Sequence, residues 1–338
     1  KAELVWQDAM NLVTDIKYNA DSNGGNISFK VDRSSIRQGN AVIAIKDVSD
    51  AILWSWHVWV TDEDINNVIE ITNHQNVKYN FMPVNLGQCD GNTITYEERS
   101  CKVKFIAGDQ SKEITIKQLA NVIATGSNAP FYQWGRKDPL YPSNGMGNTT
   151  KIWYDKEGIP STANPMKGTF SAGNDCIKNC ILNPNLMHNR YNGDYTYYNL
   201  WSADNKTTSA NDNPVNKTIY DPCPVGFKLP ASNAFTGFTT TGESVSSSTQ
   251  VNGTWSSSEK GWYFYTNSEK TQSIFFPALG YRSYSTMRPG SIGTQGCFWS
   301  AHPVAKGNNY YLRTSSVDVQ PTYMVDRGFG YALRPCQD

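Results

Sequence analysis

Apolar and polar residues alternate with period two through much of the N-terminal third of the chain. "NISFKV", "NAVIAIKD" and "ILWSWHVWVTD" each place apolar side chains at every second position and are bounded by Gly, Asn or Asp, the pattern of half-buried strands. "CKVKFIA" and "KEITIKQL" repeat it. From about residue 125 to 216 the alternation fades into a stretch rich in Asn, Gly, Pro and Tyr, including "FYQWGRKDPLYP" and "RYNGDYTYYNLW". An irregular segment of that length is expected to be functional or heavily cross-braced. "LPASNAFTGF" then predicts one short helix with Ser232 as its cap, and "TTTGESVSSSTQVNGTW" a polar hairpin or loop. Strand-like pieces return in "GWYFYT", "SIFFPALGYR", "CFWSA", "NNYYLRTSSVDV" and "GFGYALRP". No internal repeat or low-complexity linker divides the chain, so one irregular α+β domain over residues 1–338 is the simplest expectation.

Composition narrows the function classes. Formal net charge is zero and only 18% of residues are charged. That argues against nucleic acid or an anionic membrane as partner, since both need clustered Lys and Arg. The longest apolar run, "AILWSWHVWV", is about half the roughly 20 residues of a membrane span. The chain opens at "KAELVWQD" with no signal peptide, which fits a mature or truncated chain as well as a cytosolic one.

Seven cysteines invite a disulfide reading. Cys89 and Cys101 flank an Asp90-Gly91 turn signal and suit a local bridge. Cys223 and Cys336 could tie the last strand to an internal loop, and closing a loop that long contributes about 4 to 5 kcal/mol. Cys176 and Cys180, four apart, suit neither a CxxC redox motif nor half of a zinc ribbon, so no metal or cofactor is expected. Cys297 is left over; the set as a whole favours an oxidising exterior.

At "YDPCPVGFKLP" (220–230) the chain resembles the "YDPCPxGWRxPT" signature of the major paralogous domain of Fibrobacter and Bacteroidetes surface proteins. "ILWSWHVWVTD", "YNFMPVNLG", "YQWGRKDP", "PALGYR", "FWSAHP" and "GFGYALRP" fall in the same order as that family's matching phrases, so the resemblance runs nearly the whole length. It departs at "FMPVNLG", where "MDRNLG" is usual, and at "KLPASNAF", where an acidic, Trp-containing helix is common. The resemblance implies a C-type lectin-like fold related to the sulfatase-modifying enzymes: small twisted antiparallel sheets, few short helices and long irregular loops. It also implies the C-terminal domain of a longer surface or fimbrial-tip protein, with residues on the final strands and loops that a retroelement diversifies in some relatives.

The chemistry that would make an enzyme is thin. No G-x-S-x-G, P-loop or G-x-G-x-x-G stands between a strand and a helix. His57 reads as a buried core histidine, and Asp62, Glu63 and Asp64 as a solvated turn. The calcium- and sugar-binding "EPN", "QPD" and "WND" signatures of C-type lectins are absent, and only Cys297 and Cys336 could serve a formylglycine-generating mechanism. The aromatic, glycine-hinged tail is different. Tyr and Trp give large contact areas at low entropy cost, and Tyr281, Ser283, Tyr284, Phe298, His302, Asn308, Asn309, Tyr310, Arg313, Tyr323 and Arg327 have the composition of a paratope. Trp299 and Tyr311 are expected to pack beneath them. The leading expectation is a non-enzymatic extracellular adhesin that binds a host or microbial surface glycan or protein through these residues. A structural subunit docking a neighbouring pilin is the alternative, and a degenerate sulfatase-modifying-type enzyme a distant third.

Overall fold

The computed structural model describes residues 1–168, 174–188, 199–304 and 307–338. Among the described residues strands make up 44% and helices 6%, in many small antiparallel sheets, which overturns the α+β, lectin-like expectation. Helix among the described residues is limited to one nine-residue α-helix, Asn174–Leu182, and two 3-10 segments, Ser232–Phe238 and Ser248–Gln250. The physical reason is that no run sustains a 3.6-residue apolar period for the 12 or more residues that a self-supporting helix needs (roughly). The segment predicted as a helix holds Thr236 and Gly237 and closes only as the tighter 3-10 form. Ser232 does not cap it. The cap position is Ala231, without a side-chain bond, and the Ser232 hydroxyl donates instead to the Asn211 carbonyl at 3.1 Å.

The alternating N-terminal segments form the expected strands. Gly39–Lys46 lies between Ala2–Gln7 and Ile52–Val60, all antiparallel, and two short strands of the long middle stretch, Trp153–Tyr154 and Pro160–Ser161, extend the sheet beyond Ala2–Gln7. Ala41 and Ile43 pack with Leu12 and Val13 on one face; Val42 packs with Trp6 and Tyr141 on the other. Tyr141 stands edge-on to Trp6 at 5.2 Å and stacks on Trp153 at 4.5 Å. The irregular middle stretch is therefore cross-braced.

The C-terminal half is organised around a three-stranded antiparallel sheet of Gln295–Pro303, Asn308–Ser315 and Val319–Asp326. It is a middle layer. Phe298 and Leu312 join one core with Phe238, Trp262, Phe264 and Phe276, whereas their chain neighbours Trp299 and Tyr311 join a second with Tyr132, Trp134 and Trp201. Period-two alternation here separates two interiors, not an interior from solvent.

Two buried arginines bind this body to the rest. Arg334 donates to Asn85 Oδ1 and to the Met82, Pro83 and Phe275 carbonyls, and lies 4.3 Å from the centre of the Phe276 ring. Arg282 donates to Asn164 Oδ1, Thr150 Oγ1 and the Met287 and Tyr141 carbonyls.

Cys89, Cys101, Cys223 and Cys336 are unbridged thiols, so neither expected disulfide forms. Cys89 is buried and exchanges backbone hydrogen bonds with Asn128, while Cys101 sits exposed on the strand Arg99–Ala107. Cys223 and Cys336 are both buried and unbridged. The thiols thus lend no support to an oxidising compartment.

Candidate functional site

Burial divides the eleven residues of the predicted paratope. Phe298, His302 and Asn309 have no exposed surface, and Tyr310 and Arg327 are buried as well. As surface contacts these five are corrected by the structure: Phe298, His302, Asn309 and Tyr310 lie on the strands Gln295–Pro303 and Asn308–Ser315, where both faces are covered, and Arg327 follows the strand Val319–Asp326 and is buried against Trp134. Phe298 meets the Phe276 ring edge-on at 5.0 Å. His302 accepts a bond from the Ser232 backbone N–H at Nδ1, and burial pushes its pKa down to about 4, so it is a neutral interior group. Asn309 donates to the His302 carbonyl at 3.2 Å, Tyr310 donates to the Thr208 carbonyl at 3.3 Å, and Arg327 lies 4.4 Å over the Trp134 ring.

The other six reach the surface, and four of them meet in one feature. Arg313 lies 5.8 Å from the Tyr323 ring; Tyr323 contacts Tyr311 at 5.7 Å; Tyr311 contacts Tyr331 at 4.6 Å. Tyr331 stacks on Phe329 at 5.8 Å, and Phe329 meets Tyr284 at 4.7 Å and Tyr281 at 5.5 Å, both edge-on. The result is a continuous aromatic ribbon. Tyr323 is exposed, Tyr281, Tyr284 and Phe329 are half-buried, and Tyr311 and Tyr331 lie beneath them on Trp299. Strand register builds it: Tyr311 sits opposite Trp299 on one neighbour and Tyr323 on the other. Arg313, two residues from Tyr311, projects to the same face, held by Asp318 and Gln320 at 3.2 Å each. Ser283 and Asn308 are half-buried and belong to a turn and a strand end rather than to the ribbon.

Sequence reasoning missed Phe329 and Tyr331 of "GFGYALRP"; two aromatic residues two positions apart beside glycines were the available signal. It also missed a groove of about 700 Å³ beside the ribbon, lined by amide and hydroxyl side chains together with Ile94 and Ile152. Five asparagines line it (92, 128, 144, 148 and 164), with Thr125, Thr149, Thr150 and Arg288. Asn128 is buried and its Oδ1 has no partner among the described residues, and Asn148 Oδ1 accepts from the Ile292 N–H at 3.2 Å. The turn that carries Tyr284 closes with the Ser283 N–H on the Arg288 carbonyl, so it links ribbon and groove. Much of the groove comes from the long middle stretch. Another part of that stretch, most of "RYNGDYTYYNLW", lies outside the described residues.

The remaining candidates resolve simply. His57 bonds Asn40 Oδ1 at 2.9 Å and the Tyr132 hydroxyl at 3.0 Å. Asp62, Glu63 and Asp64 form an exposed turn. The chain matches no family model, no curated protein and no solved structure.

Proposed function

We propose that the protein is a non-enzymatic recognition module, displayed extracellularly on a bacterial surface or fimbria, that binds a glycan or protein through the aromatic ribbon. The observation that carries this reading is the unbroken run of ring contacts from Arg313 to Tyr284, solvent-exposed at Tyr323 and anchored underneath by Trp299. Rigid half-exposed tyrosines beside a fixed guanidinium lose little conformational freedom on binding and supply the residue types that dominate binding hot spots. Tyrosine faces stack on the apolar faces of sugar rings, and the adjoining amide-lined groove offers hydrogen bonds for hydroxyl groups. Zero net charge fits such a ligand better than nucleic acid. Surface display rests on the seven ordered phrases described above.

A second reading, docking onto a neighbouring pilin, is favoured by one observation. The hairpin Arg99–Ala107 with Gln110–Gln118 is exposed along its length, and register places Cys101, Val103, Phe105, Ile114 and Ile116 on one face. A two-stranded hairpin with an uncovered apolar face is marginal alone.

The test is binding to a mixed array of glycans and surface proteins by three folded chains: wild type, Tyr284→Ala/Tyr323→Ala, and Phe105→Glu/Ile116→Glu. Losing two tyrosine anchors is expected to weaken binding about a hundredfold. Undiminished binding by the tyrosine variant refutes the ribbon as the site. Loss only in the hairpin variant selects the docking reading.

A further inference from the structure

Cys176 and Cys180 had the wrong spacing for a zinc motif in sequence, but the fold adds a third donor. One ligand atom each from Cys176, Cys180 and His188 lies within 4.8 Å of the others. The two cysteines are i and i+4 on the helix Asn174–Leu182, so their sulfurs stack on one face. His188 arrives from the short strand Leu186–His188, which pairs in parallel with Met166–Gly168 and sets His188 opposite Gly168.

The surroundings hold that histidine in place. Gln133 clamps its backbone from both sides, accepting from the His188 N–H at 3.0 Å and donating to its carbonyl at 2.8 Å. Arg136 donates to Gln133 Oε1 and to the Asn183, Pro184 and Leu186 carbonyls, which locks the turn between helix and strand. Gly168 leaves room for the ring: a Cβ there would sit 2.1 Å from Leu186 Cδ2 and 3.2 Å from His188 Nδ1. Cys176 and His188 are buried at 4% and 3% exposure.

We infer that Cys176, Cys180 and His188 form a metal site that takes a zinc ion through two thiolates and one imidazole. Soft thiolates with imidazole are a donor set that selects zinc among hard and soft divalent ions. Two thiolates balance the +2 charge, so the loaded site is neutral and can remain buried without an external counter-ion. Each thiol gives up its proton to solvent as it ligates. The site is independent of the ribbon. It would pin the helix Asn174–Leu182 to the strand Leu186–His188, a structural role.

The test uses the full chain, reduced and chelator-stripped, titrated with Co²⁺ and then Zn²⁺. The expected result is one equivalent of Co²⁺, a thiolate-to-cobalt charge-transfer band, and displacement by Zn²⁺. X-ray absorption of the zinc-loaded wild type should count two sulfurs and a histidine nitrogen, which identifies the ligands even where a variant fails to fold. His188→Ala should weaken binding at least about tenfold, Cys176→Ser should roughly halve the charge-transfer band, and Cys101→Ser should change neither. A wild type without the band, an absorption spectrum without two sulfurs, or a folded Cys176→Ser chain of unchanged affinity overturns the assignment. The trio would then be a set of hydrogen-bonded thiols and imidazole.

Discussion

Replacing Arg334 with methionine keeps most of the side-chain volume and removes the guanidinium. Four hydrogen bonds go with it, to Asn85 Oδ1 at 2.8 Å and to the carbonyls of Met82 at 3.2 Å, Pro83 at 2.6 Å and Phe275 at 2.7 Å. Bonds to a charged group contribute about 1.5 to 3 kcal/mol each, so the gross loss is roughly 6 to 12 kcal/mol. Against it stands the relief of desolvation. Arg334 is 1% exposed and burial pushes its pKa down to about 9, the mark of a cation held by dipoles without a carboxylate. Removing a buried charge returns several kcal/mol, and the net cost expected is about 3 to 5 kcal/mol. Arg334→Lys keeps the charge but cannot reach four acceptors in one plane or lie flat on Phe276, so it should lose about half as much. Urea unfolding followed by tryptophan fluorescence reads both from the midpoint at constant slope. A methionine variant within 1 kcal/mol of wild type, or a lysine variant less stable than the methionine one, would refute the argument that the acceptors need a guanidinium.

Two further predictions probe the interior. His302 is buried neutral with a pKa near 4, so in acid the unfolded chain binds a proton that the folded chain refuses. Its contribution is intact above about pH 6.5 and lost as pH falls; at pH 4.5 wild type should lose about 2 to 3 kcal/mol that His302→Gln does not, and equal acid losses in the two chains would disprove it. At Gly237 an added Cβ would stand 2.4 Å from the Thr72 carbonyl oxygen and 3.1 Å from Asn73 Cα, both backbone. Gly237→Ala should therefore cost about 1 to 3 kcal/mol by thermal denaturation, whereas Gly147→Ala, with nothing within 4 Å, should cost much less.

The seven ordered phrases turn out to meet one another. "YNFMPVNLG" and "GFGYALRP" bond through Met82 N–H to Pro335 and Leu86 N–H to Leu333. "FWSAHP" bonds "GFGYALRP" through Trp299 N–H to Ala332, and "YDPCPVGFKLP" through Ala301 N–H to Pro230. Tyr132 of "YQWGRKDP" pairs with Tyr331, and Arg282 of "PALGYR" with Gly330. These phrases are legible because they build the interior, where packing restricts residue choice. For the same reason they say little about the ligand. Of the predicted paratope residues within them, Phe298 and His302 are interior groups and Tyr281 is half-buried, whereas Tyr284, Arg313 and Tyr323, which reach the surface, lie between phrases.

Local alternation was enough to place strands in the N-terminal third and the tail, because side-chain direction along a strand depends only on position parity. Composition was enough to argue against a polyanion-binding surface, because that needs a charge excess the chain lacks. Parity cannot say what covers each face, and here both faces of the central C-terminal strands are covered, which only the tertiary structure decided. The cysteines followed the same rule. Spacing spoke against a metal site at Cys176 and Cys180; the helix that puts both on one face and the parallel pairing with residues 166–168 that brings His188 to them are features of the structure, and contacts so distant in sequence leave no trace in local pattern.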